Sequence, residues 1–333
     1  MMPRSFFPSS KKTGNFIIKD HVIRFLELRQ ADPPVVSKMG ERYLPEGVVR
    51  GGKIIDAETL AMIAEECLGD WGLKGKHPVR FAVPDNFVVV RQIAVPDEIA
   101  MDEMEGYITL ELGSTIHLPF DDPVFDFALL GASNQEKQVL LFAAPRDVVE
   151  DYADFFNGIR LSPVAADISP LCAYRSFYHL NTLNAMDHLL LLQFDLSMVN
   201  ATIFHRHFPL LARELEVDIP LSKWETETNA FGEKKYRWPE DDPLLRYQTE
   251  NIYKELDRIM NYYQFSIRKG QDAVNQILLN GDYPYLPEVA DNLAEQFGLS
   301  VKMIETEKVS STTGQPFPAR FAPVLGLALK EVK

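Results

Sequence analysis

The chain has 333 residues, of which 46% are hydrophobic and 25% charged, so it has the composition of an ordinary globular protein with about two domains. Its formal net charge of -14 repels phosphate backbones and excludes nucleic-acid binding through a general basic surface. The two cysteines, Cys67 and Cys172, are far apart among apolar residues, which predicts no disulfide framework and favours the reducing cytoplasm. No apolar run approaches the roughly 20 residues that span a bilayer, so we expect neither a signal peptide nor direct membrane insertion.

Apolar periodicity and turn residues divide the first half of the chain into short elements. The predicted elements are, in chain order, a β-hairpin at 15–30, a strand pair at 48–55, a helix at 57–68, and buried strands at 79–83 and 87–95. The pattern then changes at Pro96. A small inserted α/β unit is predicted from 96 to 163, with a helix at 99–112, strands at 116–130 and 139–143, and a helix at 147–156.

The inserted unit is strongly acidic. Residues 97–127 contain nine carboxylates and no lysine or arginine. Such a segment is typical of a solvated surface, and the alternative is a face for a basic partner segment.

The second half repeats the mixed α/β pattern. Its predicted elements are a helix at 170–183, strands at 189–194, 198–204 and 210–217, a turn-rich exposed loop or partly ordered excursion at 222–244, an amphipathic helix at 245–268, a strand at 276–280, a helix at 287–297, a strand at 300–303, and a helix at 322–331. Strands and helices that alternate in two halves indicate two mixed-sheet domains facing a cleft.

Several short motifs follow one another along the chain: Val22-Ile-Arg-Phe-Leu-Glu-Leu28, Leu44-Pro-Glu-Gly-Val-Val49, Gly52-Lys-Ile-Ile-Asp56, Ile116-His-Leu-Pro-Phe120, Asp126-Phe-Ala-Leu-Leu130, Val139-Leu-Leu-Phe-Ala-Ala-Pro145, Ala166-Asp-Ile168 and Leu325-Gly-Leu-Ala-Leu329. Their order resembles the PilM branch of the actin-like superfamily, which is related in fold to FtsA and to the cytoplasmic domain of GspL. Each motif alone is weak, and the resemblance rests on their order and spacing over nearly the whole chain.

The resemblance implies an α/β actin-like fold, a duplicated RNase H-like arrangement of two domains. The first domain would cover 1–185 with an inserted 1C subdomain at about 96–163, and the second would cover 186–333 with a 2B subdomain at about 210–270. It further implies an assembly role in a type IV pilus or related secretion platform, at the cytoplasmic face of the inner membrane. The implied partners are the cytoplasmic N-terminus of a PilN-like bitopic membrane protein and other platform proteins.

Actin-like proteins bind ATP and Mg²⁺ between glycine-rich turns, whose N–H groups approach the phosphates. Aligned on the family, this chain has Ile17 where an aspartate is usual, and Lys19, Ser197 and Asp282 where glycines are usual. We therefore expect a degenerate site without ATPase activity. If nucleotide binds at all, the candidate residues are Lys19, Asp20, Asp195, Ser197, Asn200, Gly281 and Asp282.

The resemblance also places the partner peptide in a groove between the first domain and its insert. The candidate wall residues are Val88, Val90, Ile93, Ile108, Leu112, Ile116 and Leu118. Two alternatives stay open: an active actin-like ATPase that cycles with nucleotide, and an FtsA-like filament-forming protein. The close pair His205 and His207 has no third ligand nearby in sequence, so we predict no metal site.

Overall fold

A computed structural model describes residues 13–133, 136–228, 234–239 and 242–331. Its strands are β1 (Gly14–Lys19), β2 (Val22–Gln30), β3 (Val35–Tyr43), β4 (Val49–Arg50), β5 (Lys53–Ile54), β6 (Pro78–Val83), β7 (Val89–Pro96), β8 (Pro123–Ser133), β9 (Glu136–Pro145), β10 (Ser162–Ile168), β11 (Leu189–Phe194), β12 (Met198–His205), β13 (Phe208–Glu216), β14 (Glu225–Thr228), β15 (Lys234–Arg237), β16 (Gln276–Asn280), β17 (Ser300–Met303) and β18 (Ser310–Ser311). Its α-helices are α1 (Ala57–Asp70), α2 (Met104–Glu111), α3 (Arg146–Gly158), α4 (Ser169–Leu180), α5 (Leu244–Tyr262), α6 (Leu286–Phe297) and α7 (Ala322–Ala328). No helix among the described residues is both long and apolar enough to cross a membrane.

The chain divides into two compact units. Unit 1 comprises the described residues within Met1–Ala82, Asp151–Leu180 and Glu305–Lys333. Its sheet has the order β10-β6-β1-β2-β3-β18, in which β1 pairs antiparallel with β2 and parallel with β6. Nearly every residue of β1 is buried, as expected for a central strand covered on both faces.

Unit 2 comprises Val83–Glu150 and the described residues within Asn181–Ile304. Its main sheet has the order β13-β12-β11-β16-β17, in which β11 pairs antiparallel with β12 and parallel with β16. Helices α5 and α6 contribute to the hydrophobic core on one face of this sheet. A separate sheet, β7-β9-β8, has a core of its own that includes residues of α2.

The two main sheets share one topology. The order β3-β2-β1-β6-β10 in unit 1 repeats as β13-β12-β11-β16-β17 in unit 2. In each, an antiparallel meander of three strands is extended on the other side by a strand parallel to the first. This repeat is the duplicated arrangement that the actin-like resemblance predicts.

Several elements differ from their predictions. The structure contains β3 and β10, which the sequence analysis missed. The prediction of an exposed loop for 222–244 is wrong in part. Strands β14 and β15 pair antiparallel in this segment, and Trp224 and Trp238 are both buried. Burial of each indole removes a large apolar surface from water and stabilises this hairpin, although the turn-rich composition of the segment predicts exposure.

The predicted domain boundaries at residues 185 and 186 stay a prediction. Residues 305–331, which include α7, belong to unit 1, where α7 packs against α4. Residues 83–150 group with unit 2.

Candidate functional site

Asp20 lies in the turn between β1 and β2, the first turn of the predicted nucleotide site, directly after the half-buried Lys19. The Asp20 carboxylate accepts hydrogen bonds from the backbone N–H groups of Gly51 at 2.7 Å and Gly52 at 2.9 Å. The hydroxyl of Tyr152 donates to the Gly52 carbonyl at 2.8 Å. Burial raises the pKa of Tyr152, and the charge of Asp20 raises it further. Asp20 thus holds the β4–β5 turn in place, a structural role that sequence reasoning missed.

The two candidate turns of unit 2 are in direct contact. The Asp195 carboxylate accepts a hydrogen bond from the backbone N–H of Asp282 at 2.9 Å, and the N–H of Tyr283 donates to the Phe194 carbonyl at 3.0 Å. Gly281 precedes Asp282 in the second turn and has φ +137°. A Cβ at this position would lie 2.0 Å from the carbonyl oxygen of Phe194 in the first turn. Only glycine permits this approach of two backbone segments. Gly281 and Asp195 therefore join the two turns to each other.

A buried row of amides crosses the main sheet of unit 2 beside these turns. Asn200 pairs with Gln193 in the strand register, and Gln193 pairs with Asn280, so the three side chains share one face. Asn200 donates from Nδ2 to the Asp85 carboxylate at 2.6 Å. Both polar atoms of the Asn280 side chain are buried without a hydrogen-bond partner among the described residues. Ser197 is half-buried in the β11–β12 turn.

The structure therefore brings together five of the seven candidate nucleotide residues in unit 2, while Lys19 and Asp20 lie in unit 1. Sequence reasoning missed Asp85, Gln193 and Asn280. Asn280 directly precedes Gly281 in the predicted turn and could have been found. Asp85 could not, because it is 115 residues from Asn200 in the chain and only folding makes them neighbours.

The candidate partner-binding residues lie in or next to the small β7-β9-β8 sheet and its helix α2. Three of them are buried in its core, namely Ile93, Ile108 and Ile116. Four keep partial exposure, namely Val88, Val90, Leu112 and Leu118. Only the second group has surface that a partner can contact, so burial separates two sets that sequence spacing could not distinguish.

His205 stacks on His188 rather than pairing with His207. The ring centroids of His188 and His205 are 4.0 Å apart with an interplanar angle of 10°, and Nδ1 of His188 lies 2.6 Å from the Tyr263 hydroxyl. Burial lowers the pKa of both histidines, and the second ring lowers that of His188 further. Both pKa shifts favour the neutral imidazole, which suits two stacked rings in the packing of unit 2.

Comparisons with known proteins extend over nearly the whole chain. A family model described as type IV pilus assembly protein PilM matches residues 18–330. Among solved structures, a PilM-PilN type IV pilus biogenesis complex aligns with a TM-score of 0.76 and 21% identity, covering 97% of this chain and 98% of that chain. The cytoplasmic domain of EpsL, an inner-membrane component of the type II secretion system of Vibrio cholerae, aligns with a TM-score of 0.48 and 11% identity over 97% of this chain and 96% of that one. Comparison with curated protein sequences finds no match.

The TM-score of 0.76 shows that this chain shares its fold with that solved structure, and the sheet order is repeated in its two units. The fold is a two-domain actin-like fold. Because the family model spans residues 18–330, this chain belongs to the type IV pilus assembly protein PilM family.

Proposed function

We propose that this chain is a non-enzymatic assembly component of a type IV pilus platform, held at the cytoplasmic face of the inner membrane by the N-terminal peptide of a PilN-like membrane protein. The observation that carries the proposal is the family match over residues 18–330. The similar solved structure is a PilM-PilN complex, which supports a partner of this kind.

The small sheet of unit 2 offers features that suit a peptide partner. Both β7 and β8 are edge strands, each paired only with β9 among the described residues. An edge strand presents unpaired backbone groups to which an extended peptide can add. Of the nine carboxylates within 97–127, Asp97 pairs with Lys137 and Asp122 with Arg146, and the others leave an excess of negative charge in this part of unit 2, which favours a peptide carrying lysine or arginine.

Peptide titration tests this proposal. We expect a synthetic N-terminal peptide of a single-span membrane protein encoded beside this chain to bind saturably, and more weakly at high salt because screening reduces the attraction. Val90→Lys, in half-buried β7, should lower the affinity at least tenfold. Val164→Lys, at an exposed position of β10, is the matched control and should leave affinity unchanged.

Calorimetry measures both affinities, and thermal unfolding verifies that each variant is folded. Absence of saturable binding by every such peptide would rule out the PilN-receptor function. Equal affinity of Val90→Lys and the unmodified chain would move the binding surface away from β7.

We also propose that the nucleotide site is degenerate. Three carboxylates, those of Asp85, Asp195 and Asp282, lie around the turns of unit 2, and they disfavour an anionic triphosphate at this end of the sheet. Asp195 is engaged with a backbone N–H, which competes with any role in holding Mg²⁺. One observation favours the alternative of an ATP-binding protein: the Asn280 amide is buried without a hydrogen-bond partner among the described residues.

Titration with MgATP separates these alternatives. A degenerate site predicts no binding in the micromolar range and no phosphate release above background. Asn280→Leu should then change no property except stability, by about 1 kcal/mol or less, because it replaces an unsatisfied buried amide by an apolar group of similar size. Micromolar MgATP binding that Asn280→Leu abolishes would instead establish a nucleotide-binding protein.

A further inference from the structure

A groove in unit 2 includes Tyr283, which follows the candidate nucleotide residue Asp282, but none of the other residues discussed so far as nucleotide or peptide contacts. It lies between α5, α6 and Trp238, and it has a volume of about 810 Å³. This volume is within the range of sites that hold small molecules or side-chain anchors of a partner. Its walls combine aromatic rings with glutamates.

The aromatic wall is held rigidly by its own contacts. The backbone N–H of Trp238 donates to the Tyr285 hydroxyl at 3.0 Å, and its indole Nε1 donates to the Asp242 carbonyl at 2.9 Å. Trp224 packs edge-on against Trp238, with ring centroids 5.1 Å apart, and against Tyr283 at 5.9 Å. A surface with such fixed rings loses little conformational freedom on binding.

The charged lining is predominantly acidic. Glu288 and Glu295 extend from α6 and are exposed, and neither forms an ion pair within the part of the chain that the structure describes. Glu250, on α5, accepts a hydrogen bond from Arg246 at 3.2 Å, and Arg246 is the single cation among the described residues of the lining. Among the described residues, the groove lining therefore sets three carboxylates against one guanidinium, next to the half-buried Tyr285 and the buried rings of Trp238, Tyr253 and Tyr283.

We propose that this groove is a second docking site, which binds a basic segment of a protein partner through an inserted arginine or lysine side chain. Aromatic rings attract a nearby cation through their quadrupole, and the exposed carboxylates of Glu288 and Glu295 add charge complementarity. The aliphatic stem of the same side chain fills apolar space while its charged end meets the glutamates. The inference rests on the proposed assembly function, which supplies the class of partner.

The probes are overlapping 12-residue peptides that cover the cytoplasmic segments of the pilus-platform proteins encoded with this chain. Binding is followed by intrinsic tryptophan fluorescence, because Trp238 lines the groove, and affinities are measured by calorimetry. We expect at least one peptide with arginine or lysine to bind and to lose affinity as salt is raised. Replacement of its basic residue by glutamine should weaken binding at least tenfold.

Charge reversal in the groove gives the decisive comparison. The double variant Glu288→Lys/Glu295→Lys should lower the affinity of that peptide at least tenfold. Glu58→Lys/Glu65→Lys, at exposed positions of α1, makes the same charge change in unit 1 and should have no effect. Equal loss in both variants would reduce the effect to net charge and overturn the proposal.

Other occupants are recognised by different outcomes, each of which overturns the proposal. Binding that appears only after removal of residues 2–12 would assign the groove to the chain's own basic N-terminal segment. A dimer in sedimentation that the groove variant dissociates would assign it to a second copy of this chain. If every peptide binds the two charge-reversed variants with the same affinity, the groove has no protein partner of the proposed kind.

The PilN-like N-terminal peptide is measured beside the others as an internal reference. We expect the groove variant to bind it with unchanged affinity, since its proposed contacts lie at the small β7-β9-β8 sheet. Loss of PilN-like binding by Val90→Lys together with retained groove binding shows that the two sites are separate. Failure of the reference peptide alone contradicts the proposed function, whereas failure of the groove comparison alone contradicts this inference.

Discussion

Gly326→Ala is expected to lower the free energy of unfolding by about 3 kcal/mol. A Cβ at this position of α7 would lie 1.7 Å from the carbonyl oxygen of Cys172 and 2.9 Å from Oγ of Ser176, both on α4. The methyl group meets backbone on one side, so the helices must separate. Their separation strains the hydrogen bond from Ser176 to the Ala322 carbonyl, now 2.5 Å long.

Chemical denaturation of Gly326→Ala and of its control measures this loss. The control is Gly69→Ala, in α1 of the same unit, where a Cβ meets nothing within 4 Å. Alanine has higher helix propensity than glycine, so the control should be neutral or more stable by up to about 1 kcal/mol. Equal stability of the two variants would mean that α4 and α7 do not pack as closely as the structure describes.

Glu41→Gln is expected to destabilise unit 1 by about 3 kcal/mol, because it leaves the buried guanidinium of Arg24 and the half-buried guanidinium of Arg320 without their shared anion. Glu41 accepts from Nε of Arg24 at 3.0 Å and from Nη2 of Arg320 at 2.6 Å. The side chain of Arg24 is only 4% exposed, so water cannot replace the lost charge there. The control is Glu66→Gln, whose carboxylate is 70% exposed and 3.4 Å from Arg42, and which should cost less than about 0.5 kcal/mol.

The effect of Glu41→Gln should also depend on pH. Burial by itself raises the pKa of Glu41, but the hydrogen bond and charge of Arg320 and the charge of Arg24 outweigh it and lower the pKa below 4.5. The ionised group therefore stabilises the fold at pH values above its unfolded pKa, and this contribution is lost as the pH falls below about 4.5. Denaturation at pH 7, 5 and 3.5 should show the difference between the unmodified chain and Glu41→Gln becoming smaller. A difference that is constant over this range would contradict the ion-pair interpretation.

Much of the fold could be predicted from local patterns. Alternating apolar residues identify the β1–β2 hairpin and β11 to β13, and helical spacing identifies α1 and α5, because each pattern reports which side of one element meets the core. The missed strand β3 shows the limit of this reasoning. Its sequence, Val35–Tyr43, contains serine, lysine, glycine and glutamate, and only its neighbours in the sheet make it a strand.

The candidate site was less accessible to prediction than the fold. Gly281 lies in the turn between β16 and α6, and its role in a nucleotide site stays a prediction, whereas the partner of Asp195 is the backbone of Asp282, 87 residues away. Similarly, the apolar spacing on α2 could not show that Ile108 is buried while Leu112 keeps partial exposure. Such contacts depend on strand register and helix placement, which a local sequence pattern does not encode.

The sequence by itself determined the family, the two mixed-sheet halves and the substitutions Ile17, Lys19, Ser197 and Asp282 at the nucleotide turns. Residue identity and spacing are sufficient for these conclusions, because they concern order along the chain. Only the tertiary structure decided that Asp20 holds a neighbouring turn and that aromatic residues, including Trp238, line a groove. These features require side chains from distant segments to meet, which happens only when the chain has folded.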